Sequence, residues 1–346
     1  MKMFWPTVAF ACSALTAFAQ TGPYKILKTA KVGGEGGFDY VYADSAGRKL
    51  YVPRTGPMPR IAVFNLDTLE PAGEIANTNA RGVAVDPKST HGFATSKPVA
   101  MWNSKTLAPI KTIDVEGGPD GILFDSFNER IYILSHRAPN ATVIDAKDGS
   151  VVGTIDLGGA PEQAVSDGKG HLYIDIEDKD SVAVVDAKTM KVTAQYDISS
   201  KAKTPAGLAF DAKNHILFVA CRQPAAMVIM DAADGKIITS LPIGAGVDGA
   251  AFNPKTMEAF SSQGDGTLTV IKEKSPTSFE VEQTLTTMPG AKTMTLDSKT
   301  DHVFLIAAEY GPAPAATTPP AAGGRGGRGG RGPMLPGSFS IIEVGK

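Results

Sequence analysis

The chain has 346 residues, 42% of them hydrophobic and 20% charged, with a formal net charge of −2. That balance describes a soluble globular protein with an ample core, and a slightly acidic chain lacks the basic footprint of a nucleic-acid binder. Glycine (37) and proline (24) are abundant, which favours a turn-rich all-β chain or a low-complexity segment.

At the N-terminus, Lys2 precedes an apolar run over positions 8–18, and Ala17-Phe18-Ala19 gives the small-x-small pattern that signal peptidase accepts. Residues 1–19 are therefore expected to be a signal peptide, with Gln20 as the mature N-terminus. The run is too short to span a bilayer as a stable helix. A lipoprotein reading through Cys12 is a poor match, because Ala9-Phe10-Ala11 before it leaves little apolar run. The expectation is a periplasmic or secreted protein with no transmembrane segment after processing, whose charge moves from −2 to −3 with the loss of Lys2. Loss of Cys12 leaves Cys221 alone, so no intramolecular disulfide is expected and stability rests on the core.

A strand-like segment, "YKILKTAKVGG" (24–34), comes next, followed by the phrase "GGFDYVYAD" ending at Asp44. Close relatives of that phrase recur as "GGPDGILFD" ending at Asp125 and "AGVDGAAFN" ending at Asn253. The landmark residues are Asp44, Asp86, Asp125, Asp167, Asp211, Asn253 and Asp297, spaced by 42, 39, 42, 44, 42 and 44 residues. Such a period marks a repeat architecture. After each landmark come a polar turn and an apolar strand, such as "KLYV", "RIYIL", "HLYI", "ILFV" and "HVFLI". A third strand often ends in a second acid ("IAVFNLD", "VAVVD", "MVIMD"), and a fourth closes the unit ("IKTIDV", "VGTIDL", "ITSLPI"). Four short β-branched strands between Gly, Asp, Asn and Lys turns, without helical periodicity, read as an all-β unit. Seven radial repeats of it predict a seven-bladed β-propeller with four-stranded blades over residues 20–346. The last unit is one strand short, and "YKILKTAKVGG" matches the fourth strand "IKTIDVEGG". The N-terminal strand (24–32) is therefore expected to complete blade seven and bury both edges. Residues 311–337, rich in proline, alanine and glycine with Arg325, Arg328 and Arg331, are expected to be a disordered insertion in that blade.

The units resemble the YVTN-type β-propeller repeat, and the chain from position 24 onward is similar to YncE-like exported propellers. The residues that carry the resemblance are "PDGILFD", "RIYIL", "TVIDAKDG" and "VVGTIDLGG". It implies the fold; relatives of this blade type range from binding proteins to lactonase-like enzymes and cofactor-carrying propellers, so function has to be read from the site.

In a propeller the innermost strand of each blade starts at the face where function usually sits. Five residues before each landmark stand Asp39, Arg81, Asp120, Glu162, Ala206, Asp248 and Lys292, predicted to form one ring at the channel mouth. Asp120 and Asp248, each before a glycine, also suit plain turn caps. The second-strand ends add Arg54, Lys97, His136, Arg137, Glu177, Asp178, Arg222, Gln263 and Glu309 on that face. The landmark aspartates fall in the next turn, on the far face, and are expected to be structural. His91, His171, His215 and His302 follow the landmarks by four or five residues and belong there too, which leaves His136 as the histidine positioned for a ligand. The ligand-binding expectation is thus Asp39, Arg81, Asp120, Glu162, Asp248, Lys292, Arg54, His136, Arg137 and Arg222.

Asp120, Glu162 and Asp248 are the candidate metal ligands, and a carboxylate ring suits a hard divalent cation such as calcium. One histidine does not make a zinc site, and no haem attachment sequence, G-x-S-x-G or H-E-x-x-H is present. Cys221 reads as a buried thiol. These features favour an exported, monomeric propeller that binds a small ligand or protein partner without catalysis. Two alternatives stand beside it: a metal-assisted, lactonase-like hydrolase using Glu162, Asp120, Asp248 and His136, and a polyanion binder using the arginine-rich loop. Net negative charge weighs against the last.

Overall fold

A computed structural model describes residues 22–138, 140–312 and 332–346. The expected signal peptide and residues 313–331 of the insertion lie outside the described residues. Seven four-stranded antiparallel sheets make up the fold. Blade 1 holds Tyr42–Asp44, Lys49–Arg54, Arg60–Asn65 and Pro71–Ala76; blade 4 holds Pro161–Ser166, His171–Ile176, Ser181–Asp186 and Lys191–Asp197. The first strands touch one another in a closed circle from blade 1 to blade 7 and back. This is the seven-bladed β-propeller that the repeat period predicts.

Each landmark works locally. Asp44 accepts from the Gly47 amide at 2.8 Å, Asp86 from Lys88 and Ser89, Asp211 from Lys213 and Asn214, and Asn253 from Lys255. The backbone then turns left-handed four residues on, at Arg48, Thr90, Glu129, His215, Met257 and Asp301. A short acid or amide at the head of the turn holds the chain while that residue redirects it into the second strand.

The second and third strands are apolar on both faces because each face feeds a different core. Ile131 and Ile133 pack toward blade 2, while Tyr132 and Leu134 pack toward blade 4. Seven such clusters lie between neighbouring blades. The fourth strands are largely exposed, as in Val151–Ile155.

Closure follows the expected scheme. Lys25–Lys31 pairs antiparallel with Ser340–Gly345 as the outer strand of blade 7. Tyr24 lies just before this strand and does something else. Its amide donates to Gln283 Oε1 and its carbonyl accepts from Gln283 Nε2, each at 2.8 Å. Its hydroxyl donates to Glu258, whose other oxygen accepts from Lys346 at 2.8 Å. Both closing strands are thereby fastened to blade 6 (Val247–Asn253, Glu258–Gln263, Thr267–Ser275, Ser278–Thr286).

The insertion leaves from a paired stem. Tyr310 bridges Met334, Gly311 donates to the Pro333 carbonyl at 2.9 Å, and Leu335 donates to the Glu309 carbonyl at 2.9 Å.

Candidate functional site

The ring positions owe their direction to broken register. In blades 3 to 6 the pairing of first and second strands shifts at the ring residue: between Pro119 and Ile122, Pro161 and Ala164, Pro205 and Gly207, and Val247 and Gly249. A bulge there turns Asp120, Glu162, Ala206 and Asp248 off the ladder. The residue after the ring position is glycine in four blades, at Gly82, Gly121, Gly207 and Gly249. A Cβ at Gly121 would stand 2.5 Å from the Glu162 carbonyl oxygen, and one at Gly207 would stand 2.9 Å from the Gly249 carbonyl carbon. These glycines let neighbouring backbones close up around the axis.

In the other three blades the same position reaches across. Tyr40 directs its hydroxyl at Glu162 Oε2, 3.3 Å away. Thr293 donates to the Asp39 carbonyl at 2.7 Å. Gln163 accepts from the Leu208 and Ala250 amides and donates to the Ala250 carbonyl, all within 3.1 Å. Tyr40 and Gln163 also line the central cavity of about 290 Å³ beneath the ring.

Above this floor the charged side chains form a near-continuous circuit. Arg81 lies 3.7 Å from Asp39 and 3.2 Å from Asp120. His136 Nε2 lies 3.7 Å from Asp120 and 3.5 Å from Glu162. Where blade 5 offers only Ala206, Arg222 from its second strand fills the gap, bonding Glu177 at 2.5 Å and also Asp248. Lys292 pairs with Asp248 and stands 4.0 Å from Asp39. Most expected site residues therefore meet at one mouth, and Glu177 joins them from the turn Glu177–Lys179.

Some expected residues do not join. Arg54 is 1% exposed, stacks its guanidinium 3.7 Å over the Phe339 ring and donates to the Gly33 and Gly36 carbonyls. Burial, with Arg60 nearby, lowers its pKa to about 10. Gln263 is buried and spends its amide on Ser261, Thr267 and Thr269. Arg137 is exposed, and only its backbone has a described contact, with Ser135.

The carboxyls sit in a poorly solvated setting. Asp120, Glu162 and Asp248 are each buried. Burial, then the charges of Glu177 and Asp120, push Glu162 up to about 8 against the opposing pull of Arg222. Burial likewise raises Asp120, with Arg81 working against it. Asp175, a residue that sequence reading passed over, is fully buried with no hydrogen-bond partner on either oxygen. Burial and the nearby Glu162 hold its carboxyl well above the usual range. An acid inside the apolar strand "HLYIDI" was the signal for it. Tyr40 is also raised, by burial first and then by the surrounding carboxylates.

The candidate metal ligands separate. Asp248 is held by two cations, Arg222 and Lys292, and Asp120 faces Arg81. Among the described residues, the set whose ligand atoms lie within 4.8 Å of one another is His136, Glu162 and Glu177. Glu162 alone is common to both sets. Beside the ring, a cleft of about 670 Å³ opens between blades 1, 2 and 3. Its walls include Thr55, Asn77, Asn79, Arg81, Lys97 and Thr112.

No family model matches the chain. Two curated proteins, each an uncharacterized protein YncE, from Salmonella typhi and Salmonella typhimurium, are 24% identical to it over 195 residues. The match takes in 52% of this chain and 53% of the relative, so the chain spans about half the length of the curated relatives it matches. A solved chain of a mitotic checkpoint complex superposes with a TM-score of 0.70 at 12% identity, covering 88% of this chain and 94% of that one. A functionally unknown protein from Desulfotomaculum acetoxidans gives 0.62 at 14% identity, over 71% and 85%. At such identities the structural likeness speaks for the fold alone. A resemblance to YncE along half the sequence and a closed ring of seven four-stranded blades make this chain a YncE-like β-propeller.

Proposed function

We propose that the chain is an exported binding protein that takes a small, polar, hydrogen-bonding solute on its funnel face. The cleft beside the ring carries this reading. Its volume falls in the range of small-molecule sites, and amide, hydroxyl and cationic side chains line it: Asn77, Asn79, Thr112, Thr55, Lys97 and Arg81. Arg81 keeps 55% of its side chain exposed while Asp39 and Asp120 hold it from below. A guanidinium fixed in place and still open on one side is a ready contact for a carboxylate or a polyol.

A thermal-shift screen against sugars, sugar acids, amino acids and dipeptides tests the proposal, because a ligand of the native state raises the melting temperature by mass action. A hit should bind about tenfold or more weakly to Arg81→Ala and to Asn79→Ala, as expected for loss of one direct polar contact of about 1.5 kcal/mol. A ligand bound equally well by both variants would refute the cleft as its site. Export predicts mature protein beginning at Gln20 outside the cytoplasm, read by mass spectrometry; a soluble cytoplasmic form retaining Met1 would refute it.

A further inference from the structure

We infer that His136, Glu162 and Glu177 form a binding site for a first-row divalent transition ion of the zinc class, distinct from the polar cleft and independent of what the cleft binds. Geometry is the first support. Two ligand atoms each about 2.1 Å from a tetrahedral zinc stand about 3.4 Å apart. His136 Nε2 and Glu162 Oε1 are 3.5 Å apart, and the Glu177 oxygen completes a set within 4.8 Å.

The second support is an unmet demand at the same spot. His136 Nε2 is shielded from solvent yet makes no hydrogen bond, although two carboxylates face it at 3.5 and 3.7 Å. An imidazole nitrogen held between carboxylates without bonding to either is in the position of a ligand atom. Asp175, fully buried and within electrostatic reach of Glu162 and Arg222, also has no partner for either oxygen. Polar atoms this buried are ordinarily satisfied.

Charge supplies the third. The circuit sets five carboxyl groups, of Asp39, Asp120, Glu162, Glu177 and Asp248, against three cationic side chains, Arg81, Arg222 and Lys292, so carboxyls outnumber cations around His136. Glu162 and Glu177 approach each other beside His136. Neighbours would fix the ligands from outside, as is usual around metal sites: Arg222 holds Glu177 at 2.5 Å, and the Tyr40 hydroxyl lies 3.3 Å from Glu162 Oε2. One imidazole with two carboxylates suits zinc-class ions better than calcium, which takes six to eight oxygens. Three protein ligands would leave a coordination position for water or a solute group.

Titration of the chelator-stripped protein with Zn2+, Mn2+ and Ca2+, followed by calorimetry, tests the site. The expected result is one saturable Zn2+ site, with weaker Mn2+ binding and no displacement by millimolar Ca2+. Of the five histidines, only His136 should shift in histidine-selective NMR on adding Zn2+. His136→Gln and Glu177→Gln should each weaken Zn2+ binding about 100-fold or more, since each removes a ligand and even the loss of a neighbour that only orients a ligand costs about 10–100-fold. Cys221→Ser should change nothing, which excludes the thiol. Both ring variants should melt near the parent without metal, and His136 shifts report on the parent alone should either variant fold poorly. Absence of saturable binding, Ca2+ binding as tight as Zn2+, or a shift at a far-face histidine in place of His136 would each overturn the inference.

Discussion

Tyr24 decides how firmly the ring is shut, and its replacement offers a graded test. The side chain is 3% exposed, packs edge-on against Phe260 at 5.3 Å and lies under the Lys346 ammonium. Truncation to alanine removes a buried aromatic ring, which costs about 3–5 kcal/mol in well-packed cores. Tyr24→Phe keeps the packing and removes only the hydroxyl donor to Glu258. A hydrogen bond to a charged group contributes about 1.5–3 kcal/mol. The lower end applies here, because Glu258 retains Lys346 at 2.8 Å and Lys272 at 3.6 Å. Urea denaturation at neutral pH should therefore rank parent, Tyr24→Phe and Tyr24→Ala in falling order of midpoint, with little change in slope.

A double-mutant cycle sharpens the test. Tyr24→Phe and Glu258→Gln touch the same bond, so their effects should couple by about 1 kcal/mol or more. Acid dependence gives a further check. Burial works to raise Glu258, but the bonds from Lys346 and Tyr24 outweigh it and hold its pKa at about 2. Its contribution is therefore complete above 4.5 and is lost as pH falls toward 2. Tyr24→Phe should narrow that acid loss. A Tyr24→Ala protein within about 1 kcal/mol of the parent would refute the clasp and leave strand pairing alone as the lock.

Two other outcomes follow from the same structure. Gly121→Ala would drive a Cβ to 2.5 Å from the Glu162 carbonyl, whereas Gly118→Ala meets nothing within 4 Å. Gly121→Ala should cost about 2–3 kcal/mol and Gly118→Ala less than about 0.5, measured by chemical denaturation; equal effects would remove close blade approach as the reason for the glycine. On the far face, burial first and then Asp211 push Glu273 up to about 7 against its bond from Asn214. The folded state then holds this proton more tightly than the unfolded chain, so stability should fall as pH rises from 4.5 to about 7. Glu273→Gln should remove that slope and raise stability above about pH 7 by about 1–2 kcal/mol, allowing for solvent relaxation near the surface. A slope unchanged in the variant would assign it to another group.

The blades were legible because their causes are local and repeat. An acid or amide at the head of a turn and apolar second and third strands recur in each unit, with a left-handed residue four places on in six of the seven, so the period fixed blade number and ring position together. Counting back from the landmarks located Asp39, Arg81, Asp120, Glu162, Asp248 and Lys292, because equivalent positions of a repeat share one radius. What could not be read is how those side chains pair. Each partner lies on another blade or another strand, 26 to 45 residues away for Arg222 with Asp248 and Glu177. The carboxylates expected to share a metal prove to be sorted by their cations: Asp248 goes to Arg222 and Lys292, and Asp120 to Arg81. Arg54 illustrates the converse. It ends the second strand one residue short of the position that His136 takes, and Phe339 offers it a buried ring to stack on; an aromatic face on the last strand-bearing segment of the chain leaves no trace in the local pattern.

The same reasoning explains why function concentrates where the repeat is least regular. A strict seven-fold ring would place seven identical side chains at the mouth, and like charges there would repel. This chain instead varies the ring residue, inserts His136 between blades 3 and 4 and Arg222 where blade 5 has only alanine, and breaks register beneath four positions. Around most of the circuit the variations cancel charge. Glu162 and Glu177 instead face each other beside His136, and there an imidazole nitrogen and a buried carboxyl lack hydrogen-bond partners. Other buried polar atoms also lack partners, Trp102 Nε1 and Glu273 Oε2 among them, but among the described residues the arrangement at the mouth is the set whose ligand atoms gather within 4.8 Å of one another. Its cost in stability is accounted for if the pair of glutamates and His136 act on something the chain itself does not supply.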